Sequence, residues 1–227
     1  MSEKSFKDSM LYPIVFMFVT CVLFVGVLAL MYRSSEEEIQ TYKKDSYQKI
    51  ILSLLSEPIC NALGNDPASL LADYPKSYNS YIKQTSIGQL SNDIFIAQVN
   101  GQVVGYCAGL TGKGLWGTMK ALVALSPDLK AMKGLAIYEQ METPGLGARI
   151  GEEWFLKQFN NITIIKDDAP AGERMVNLEL IPEGQVAASP TQIQQITGAT
   201  ITSSSVLRMI KNELNLVYEA YTKQVQP

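Results

Sequence analysis

The chain of 227 residues contains no histidine, and this absence removes a large part of enzyme chemistry. Histidine-containing metal sites, Ser-His and Cys-His nucleophile pairs and imidazole proton shuttles are all excluded. Cysteine is scarce as well: Cys21, Cys60 and Cys107 form no C-x-x-C pair, which argues against zinc, iron–sulfur or thioredoxin-like sites. Two free buried thiols are expected at Cys60 and Cys107, although the sequence leaves a disulfide between them open.

Positive charge is also limited, since 19 lysines and arginines are set against 22 aspartates and glutamates and the net charge is −3. A basic surplus is the usual mark of a nucleic-acid-binding protein, so nucleic acid is not an expected partner. What the chain does have is apolar residues, which make up 47% of the sequence. That share is enough for a globular core and a membrane span together.

An uncharged stretch runs from 9 to 32, near the N-terminus. Its apolar part, 11–31, matches the roughly 30 Å hydrocarbon core of a bilayer if it is helical. A cleaved signal peptide has a shorter apolar region and a small-residue cleavage site, so we predict an uncleaved anchor. The expected organisation is an N-terminal tail (1–9) followed by a transmembrane helix (10–32). Lysines and arginines flank both ends of this helix, so their counts leave its orientation open.

After the anchor we predict a connecting helix (33–63) and then one extramembrane FMN-sized domain (64–227). Apolar residues recur every three or four positions in the connecting segment, which is typical of an amphipathic helix. Ser35 and Glu38 fit a capping box, which predicts that this helix starts there as a separate element.

Strand patterns dominate the middle of the domain. Two β-rich runs flank Asn100-Gly101, the residue pair typical of a two-residue hairpin turn. A glycine-rich loop is expected at 109–117, a second hairpin from the strands 119–126 and 131–139, and a final helix at 204–222. The predicted fold class is therefore α+β: a single N-terminal transmembrane helix, then a domain with a largely antiparallel sheet and flanking helices.

Two stretches carry the residue types expected around a ligand. Thr197–Val206 contains three threonines, three serines and a glycine directly before the final helical pattern. Helix N-termini present unpaired N–H groups and the positive end of the helix dipole, so this stretch suits a phosphate. A Ser/Thr N-cap on an ordinary helix explains it equally well. Glu142–Gly147 contains a Pro-Gly pair typical of a type II turn, which by itself is an ordinary connection.

Taken in order, three motifs resemble those of a known flavoprotein family. Thr197-Gly-Ala-Thr-Ile-Thr202 resembles the [S/T]-G-A-T-x-T flavinylation motif of membrane redox complexes. Glu142-Thr-Pro-Gly-Leu-Gly147 resembles the E-T-P-G-L-G loop of the same FMN-binding domains. Gly114-Leu-Trp116 resembles a segment of the NqrC proteins, which belong to the sodium-translocating NADH:quinone oxidoreductases. The related RnfG proteins, of the Rnf-type ferredoxin:NAD oxidoreductases, usually lack that segment, so the NqrC branch of the family is favoured.

The resemblance implies an FMN joined to Thr200 by a phosphodiester, placed there by a separate flavin transferase that uses FAD. Thr202 is the alternative acceptor. Leu146 would offer an apolar contact to the flavin ring, and Glu142 and Thr143 hydrogen bonds to its polar edge. No catalytic side chain and no metal is expected. The other residues placed at the cofactor are Thr197, Gly198, Ala199, Gly145, Gly147 and Trp116.

The function implied is that of an electron-transfer subunit in a membrane Na⁺-translocating NADH:quinone oxidoreductase, with other membrane subunits as partners. Its location would be the bacterial inner (cytoplasmic) membrane, with the domain on the periplasmic side. The chain would not be a complete enzyme, because ion transport through one helix without a charged residue is implausible. An RnfG role in an Rnf-type complex is the first alternative. A flavin-free assembly role is the second, since Gln194 stands where the family commonly has an acidic residue.

Overall fold

The structure is a computed structural model that describes residues 11–86, 93–166 and 175–225. The predicted tail (1–9) and the first residue of the predicted anchor lie outside these ranges. The chain divides into two units, Met1–Ser46 and Tyr47–Pro227.

The first unit is helical throughout its described part. Helix α1 (Leu11–Leu63) begins there, and its last 17 residues, from Tyr47, belong to the second unit. The apolar side chains of its first half are exposed, and among the described residues this helix is the one long and apolar enough to cross a membrane. The capping box predicted at Ser35 and Glu38 is wrong, because the helix runs through both residues without a break.

The second unit is built on a six-stranded antiparallel sheet in which the strands follow one another in chain order. The predicted hairpin at Asn100-Gly101 is confirmed, since both residues have positive φ angles, 52° and 81°, as the tight turn requires. The α+β class with a largely antiparallel sheet is therefore confirmed. The strands are β1 (Ile82–Thr85), β2 (Ile94–Val99), β3 (Gln102–Lys113), β4 (Thr118–Leu125), β5 (Ala131–Glu139) and β6 (Ile162–Thr163).

Shorter elements surround this sheet. Two of them precede it, several follow β5, and a long helix closes the described chain. These elements are α2 (Pro67–Ala72), α3 (Tyr74–Tyr81), a 3₁₀ helix (Gly147–Gly151), α4 (Glu153–Lys157), the parallel strand pair β7 (Glu179–Ile181) and β8 (Gln192–Gln194), and α5 (Thr200–Val225).

The sheet lies between two helical layers, because its strands are apolar on both faces. Helix α5 packs on one face through a row of buried residues that includes Val206, Ile210 and Leu214. The end of α1 packs on the other face, together with α3, and buries Leu52 and Leu55 completely. Each layer removes apolar surface from water, which stabilises the fold by about 25 cal/mol per Å².

Cys60 and Cys107 both lie in the layer between α1 and the sheet, and both are free thiols, as expected. Burial raises the pKa of the Cys107 thiol, so this side chain stays protonated at neutral pH. These cysteines therefore behave as small apolar core residues.

Two predicted boundaries near the C-terminal helix are wrong. Strand β3 continues to Lys113, so the glycine-rich loop predicted at 109–117 shrinks to the four residues before β4. Helix α5 begins at Thr200 instead of 204, because the hydroxyl side chains after Thr200 find partners inside the folded domain and do not break the helix.

We expect Gly112→Ala to destabilise the domain, because α5 comes very close to β3 at this position. A Cβ at residue 112 would lie 2.7 Å from the Cβ of Met209 and 2.8 Å from its Cγ. Overpacking of this kind costs about 1–3 kcal/mol. The free energy of unfolding, measured by chemical denaturation, checks this expectation. Gly151→Ala is the matched control, since a Cβ there meets nothing within 4 Å; equal stabilities of the two variants would contradict the expectation.

Candidate functional site

The three motifs, far apart in sequence, meet at one cavity of 280 Å³ on the domain. The turn between β3 and β4, the segment after β5 and the start of α5 each form part of its wall. Nine of the eleven residues predicted at a cofactor line it, and Leu115 and Ile201 join them; Thr197 and Gly145 do not line it. The lining residues are Leu115, Trp116, Glu142, Thr143, Leu146, Gly147, Gly198, Ala199, Thr200, Ile201 and Thr202.

Thr200 is the first residue of α5, and its side chain is exposed. The N–H groups in the first turn of a helix lack partners within the helix and carry the positive end of its dipole. The exposed hydroxyl of Thr200 therefore lies beside a local preference for negative charge, at the wall of the cavity.

Thr202 differs from Thr200 although both line the cavity. Its side chain is 1% exposed, and its Oγ1 donates a hydrogen bond of 2.6 Å to Oε2 of Glu142. Successive residues of a helix are turned by about 100°, so residues two apart point in nearly opposite directions. The sequence left open which threonine faces which way; in the structure one hydroxyl is accessible and the other is buried.

Glu142 is buried, and both of its carboxylate oxygens are used within the protein. Oε1 accepts hydrogen bonds from the backbone N–H groups of Leu115 (2.8 Å) and Trp116 (3.1 Å). Oε2 accepts the bond from Thr202. A buried carboxylate is tolerated when such donors replace its water shell. Glu142 thus ties the turn between β3 and β4 to the first turn of α5.

The Thr143–Leu146 turn has the geometry that its sequence predicts. Gly145 has φ +75° at the third position, and the N–H of Leu146 donates to the carbonyl of Thr143 at 3.1 Å. The turn directs Leu146 into the cavity, where its side chain is 45% exposed. Gly145 itself serves the turn and lies outside the cavity wall.

The loop before α5 is held from its other side. Gly198 has φ +78°, and a Cβ there would lie 3.1 Å from Cδ2 of Leu146, so the two walls of the cavity touch at this glycine. Ser203 is fully buried, and its Oγ accepts a hydrogen bond of 3.1 Å from the N–H of Ile196. The loop is therefore fixed by the helix that it precedes.

Thr197 lies outside the cavity and is held by an ion pair that the sequence did not reveal. Its N–H donates to Oε2 of Glu183 at 2.7 Å, and Arg149 donates to Oε1 of Glu183 at 2.9 Å. The Arg149 guanidinium and the Thr197 hydrogen bonds lower the pKa of Glu183 to about 2. Arg149 also lies over the ring of Trp154, with its Cζ 5.5 Å from the ring centroid.

Gln194 belongs to the same support. Its Oε1 accepts a hydrogen bond of 2.9 Å from the N–H of Gly184, the residue after Glu183. A carboxylate oxygen in this place would accept the same bond, so the amide keeps the backbone contact while removing one negative charge.

The residues of the turn between β3 and β4 also have the spacing of a dinucleotide fingerprint, since Gly112-Lys-Gly-Leu-Trp-Gly117 reads G-x-G-x-x-G. That fingerprint requires a strand followed by a helix, whose N-terminus holds the pyrophosphate. Here the segment joins two antiparallel strands, so it is not a dinucleotide site of that type.

The cavity fits a ligand with a flat apolar ring and a phosphate. Trp116 and Ile201 are 70% and 59% exposed, and together with Leu115 and Leu146 they offer apolar surface at the cavity. The start of α5 supplies N–H groups for a phosphate. Leu115 and Ile201 were missed by the sequence reasoning, although a signal existed, because each is an apolar residue inside one of the quoted motif regions.

Comparisons with known proteins agree with the motifs. Residues 114–215 match the family model described as an FMN-binding domain, which confirms the resemblance. The chain is 27% identical over 150 residues to the NqrC protein of the Na⁺-translocating NADH-quinone reductase of Haemophilus ducreyi, covering 64% of this chain and 53% of that protein. It is 30% identical over 130 residues to the RnfG-type protein of the proton-translocating ferredoxin:NAD⁺ oxidoreductase complex of Clostridium ljungdahlii, covering 55% and 60%. The chain thus spans little more than half the length of these relatives.

Two crystal structures share the fold. The NqrC protein of the Na⁺-translocating NADH-quinone reductase from Parabacteroides distasonis superposes with a TM-score of 0.54 at 21% identity, covering 80% of this chain and 96% of that one. NqrC from Shewanella oneidensis gives a TM-score of 0.52 at 21% identity, covering 65% and 70%. At this level of identity the likeness establishes the fold alone.

We expect Thr202→Val to cost about 1–3 kcal/mol of stability, because it keeps the side-chain shape but leaves Oε2 of the buried Glu142 without its donor. Thr200→Val is the matched control: the same change at an exposed position should alter stability by less than about 0.5 kcal/mol. Chemical denaturation of the two purified variants measures both values. A Thr202→Val chain as stable as the control would show that the Thr202–Glu142 bond contributes nothing.

The lowered pKa of Glu183 predicts a dependence of stability on pH. The carboxyl binds its proton less readily in the folded state than in the unfolded state, where its pKa is near 4.5. Its contribution to stability is therefore complete above pH 4.5 and disappears as the pH falls through 2. Wild-type protein should lose more stability over this interval than Glu183→Gln, as followed by denaturation at a series of pH values. Parallel profiles would contradict the assignment.

Proposed function

Because residues 114–215 match the FMN-binding domain family, we propose that the chain holds FMN at the cavity and serves as an electron-transfer subunit of a membrane redox complex. The observation that carries this proposal is the meeting of all three motifs at one cavity. The chain alone is not a complete enzyme in this proposal; substrate oxidation and reduction take place on other subunits.

Thr200 is the proposed attachment point. A flavin transferase would supply FAD, the Oγ1 of Thr200 would form a bond to the flavin phosphorus, and the bond between the two phosphates of FAD would break. AMP leaves, and the hydroxyl proton is released. The exposure of Thr200 supports this assignment, because the hydroxyl must reach the active site of another protein. The first-turn N–H groups of α5 would then lie beside the phosphate.

The remaining cavity residues position the cofactor. Leu146, Trp116 and Ile201 supply apolar contacts to a flat ring, and their exposure keeps the site open toward a partner protein. Bound FMN supplies the redox chemistry, since it takes up and gives back electrons singly or in pairs. Thr143 remains a proposed polar contact. The carboxylate of Glu142 is already satisfied inside the protein, so its proposed part is to hold the cavity wall.

The complex proposed is a Na⁺-translocating NADH:quinone oxidoreductase, in which this chain corresponds to NqrC. The Gly114-Leu-Trp116 turn favours this choice, and the curated relatives include such proteins from several bacteria. An Rnf-type ferredoxin:NAD⁺ oxidoreductase, with this chain as RnfG, is the alternative, because relatives of that kind match equally well. The identity of the proteins that co-purify with the chain decides between the two.

The apolar half of α1 is the proposed anchor in the bacterial inner membrane, with the domain on the periplasmic side. The anchor lacks charged residues from 11 to 32, so the coupling ion would cross through partner subunits with several membrane helices. The other membrane subunits of the complex and the flavin transferase are thus the proposed partners. A flavin-free assembly role is the rival hypothesis, and purified protein without flavin fluorescence would favour it.

We expect that Thr200→Val abolishes covalent flavin when the chain is produced together with its transferase. The variant lacks the only hydroxyl of the motif's Gly-Ala-Thr triplet but keeps the shape of the side chain. Ser204→Ala, which removes a hydroxyl one turn further along α5, is the control and should keep the flavin. In-gel fluorescence and mass spectrometry of the α5 peptide measure the adduct. Persistent flavin on Thr200→Val, or none on wild type, would contradict the assignment.

A further inference from the structure

The start of α5 offers two threonines to the same reaction, and they are chemically equivalent side chains. Thr200 is exposed, whereas Thr202 is 1% exposed. The difference does not come from the sequence near them, since both lie in one short hydroxyl-rich motif. It comes from the segment after β5, which approaches α5 from the far side of the cavity.

Glu142 holds Thr202 directly. The hydrogen bond from Thr202 Oγ1 to Glu142 Oε2 is 2.6 Å long, within the range for a hydroxyl bound to a carboxylate. The carboxylate cannot rotate away at low cost, because its other oxygen accepts two backbone N–H groups from the turn between β3 and β4. Releasing Thr202 would therefore leave several buried polar groups without partners.

Gly147 closes the space over this pair. A Cβ at residue 147 would lie 2.8 Å from both Glu142 Oε2 and Thr202 Oγ1, so the backbone passes directly beside the hydrogen bond. The missing side chain at Gly147 lets the segment cover the hydroxyl. A dinucleotide donor bound to another protein has no route to an oxygen enclosed in this way.

A carboxylate beside a hydroxyl can also act as a general base, which would make Thr202 the more reactive nucleophile. Burial decides against this effect, because attack requires the phosphorus of FAD to approach the oxygen, and Thr202 Oγ1 is enclosed. We propose that Glu142 is a positioning residue that withholds Thr202 and so restricts flavin attachment to Thr200. This inference rests on the proposed function of Thr200. The bond that forms and the bond that breaks are those given for Thr200.

The test maps the attachment site by peptide mass spectrometry. Full-length wild type, Thr200→Val, Glu142→Ala and the double variant Thr200→Val/Glu142→Ala are produced with the flavin transferase and FAD. Wild type should carry the flavin on Thr200 alone, and Thr200→Val should carry none. The double variant should carry flavin on Thr202, at least tenfold above the level of Thr200→Val. Fragmentation of the α5 peptide assigns the modified threonine.

Two results would overturn the inference while the proposed function stands: flavin on Thr202 in the single variant Thr200→Val, or a folded double variant that carries none. Circular dichroism establishes folding. Should the alanine variant unfold, Thr200→Val/Glu142→Gln replaces it, because its carbonyl oxygen keeps the bonds to Leu115 and Trp116 while its amide no longer accepts the Thr202 proton. Wild type without flavin on either threonine would instead reject the covalent attachment itself, and this inference with it.

Discussion

The buried carboxylate of Glu142 is the interaction on which the site depends. One of its oxygens holds the N–H groups of Leu115 and Trp116, and the other holds Thr202. These residues come from three separate regions of the chain, so the cavity has its shape only while the carboxylate keeps its donors. An anion in the protein interior is costly, and its three hydrogen bonds offset that cost. The cavity is thus maintained by polar contacts on top of an apolar core.

That core extends directly to the site through α5. The helix buries one side against the sheet, and its first turn forms a wall of the cavity. Gly112 allows α5 and β3 to approach closely, which fixes the height of the helix over the sheet. The position of Thr200 is therefore set by packing along the whole helix, and changes in the core should be felt at the site.

Local patterns predicted the elements well and the contacts poorly. Asn100-Gly101 encodes its hairpin because both residues accept positive φ, and the Pro144-Gly145 turn follows the same logic. The start of α5 was placed four residues late, since serines and threonines read as loop until their partners are known. The site residues were found through motif resemblance. The bonds from Glu142 to Thr202, 60 residues away, and from Glu183 to Thr197 depend on the tertiary fold, which no local pattern contains.

The exposure of Trp116 has a further consequence for how the protein is observed. The chain has two tryptophans, one at the cavity and one, Trp154, beside Arg149. Indole fluorescence therefore comes from two distinct places, and only Trp116 is in direct reach of a molecule entering the cavity. A chain in which Trp154 is replaced by phenylalanine would carry a single optical reporter at the cavity, so that occupancy can be followed in solution without an added label.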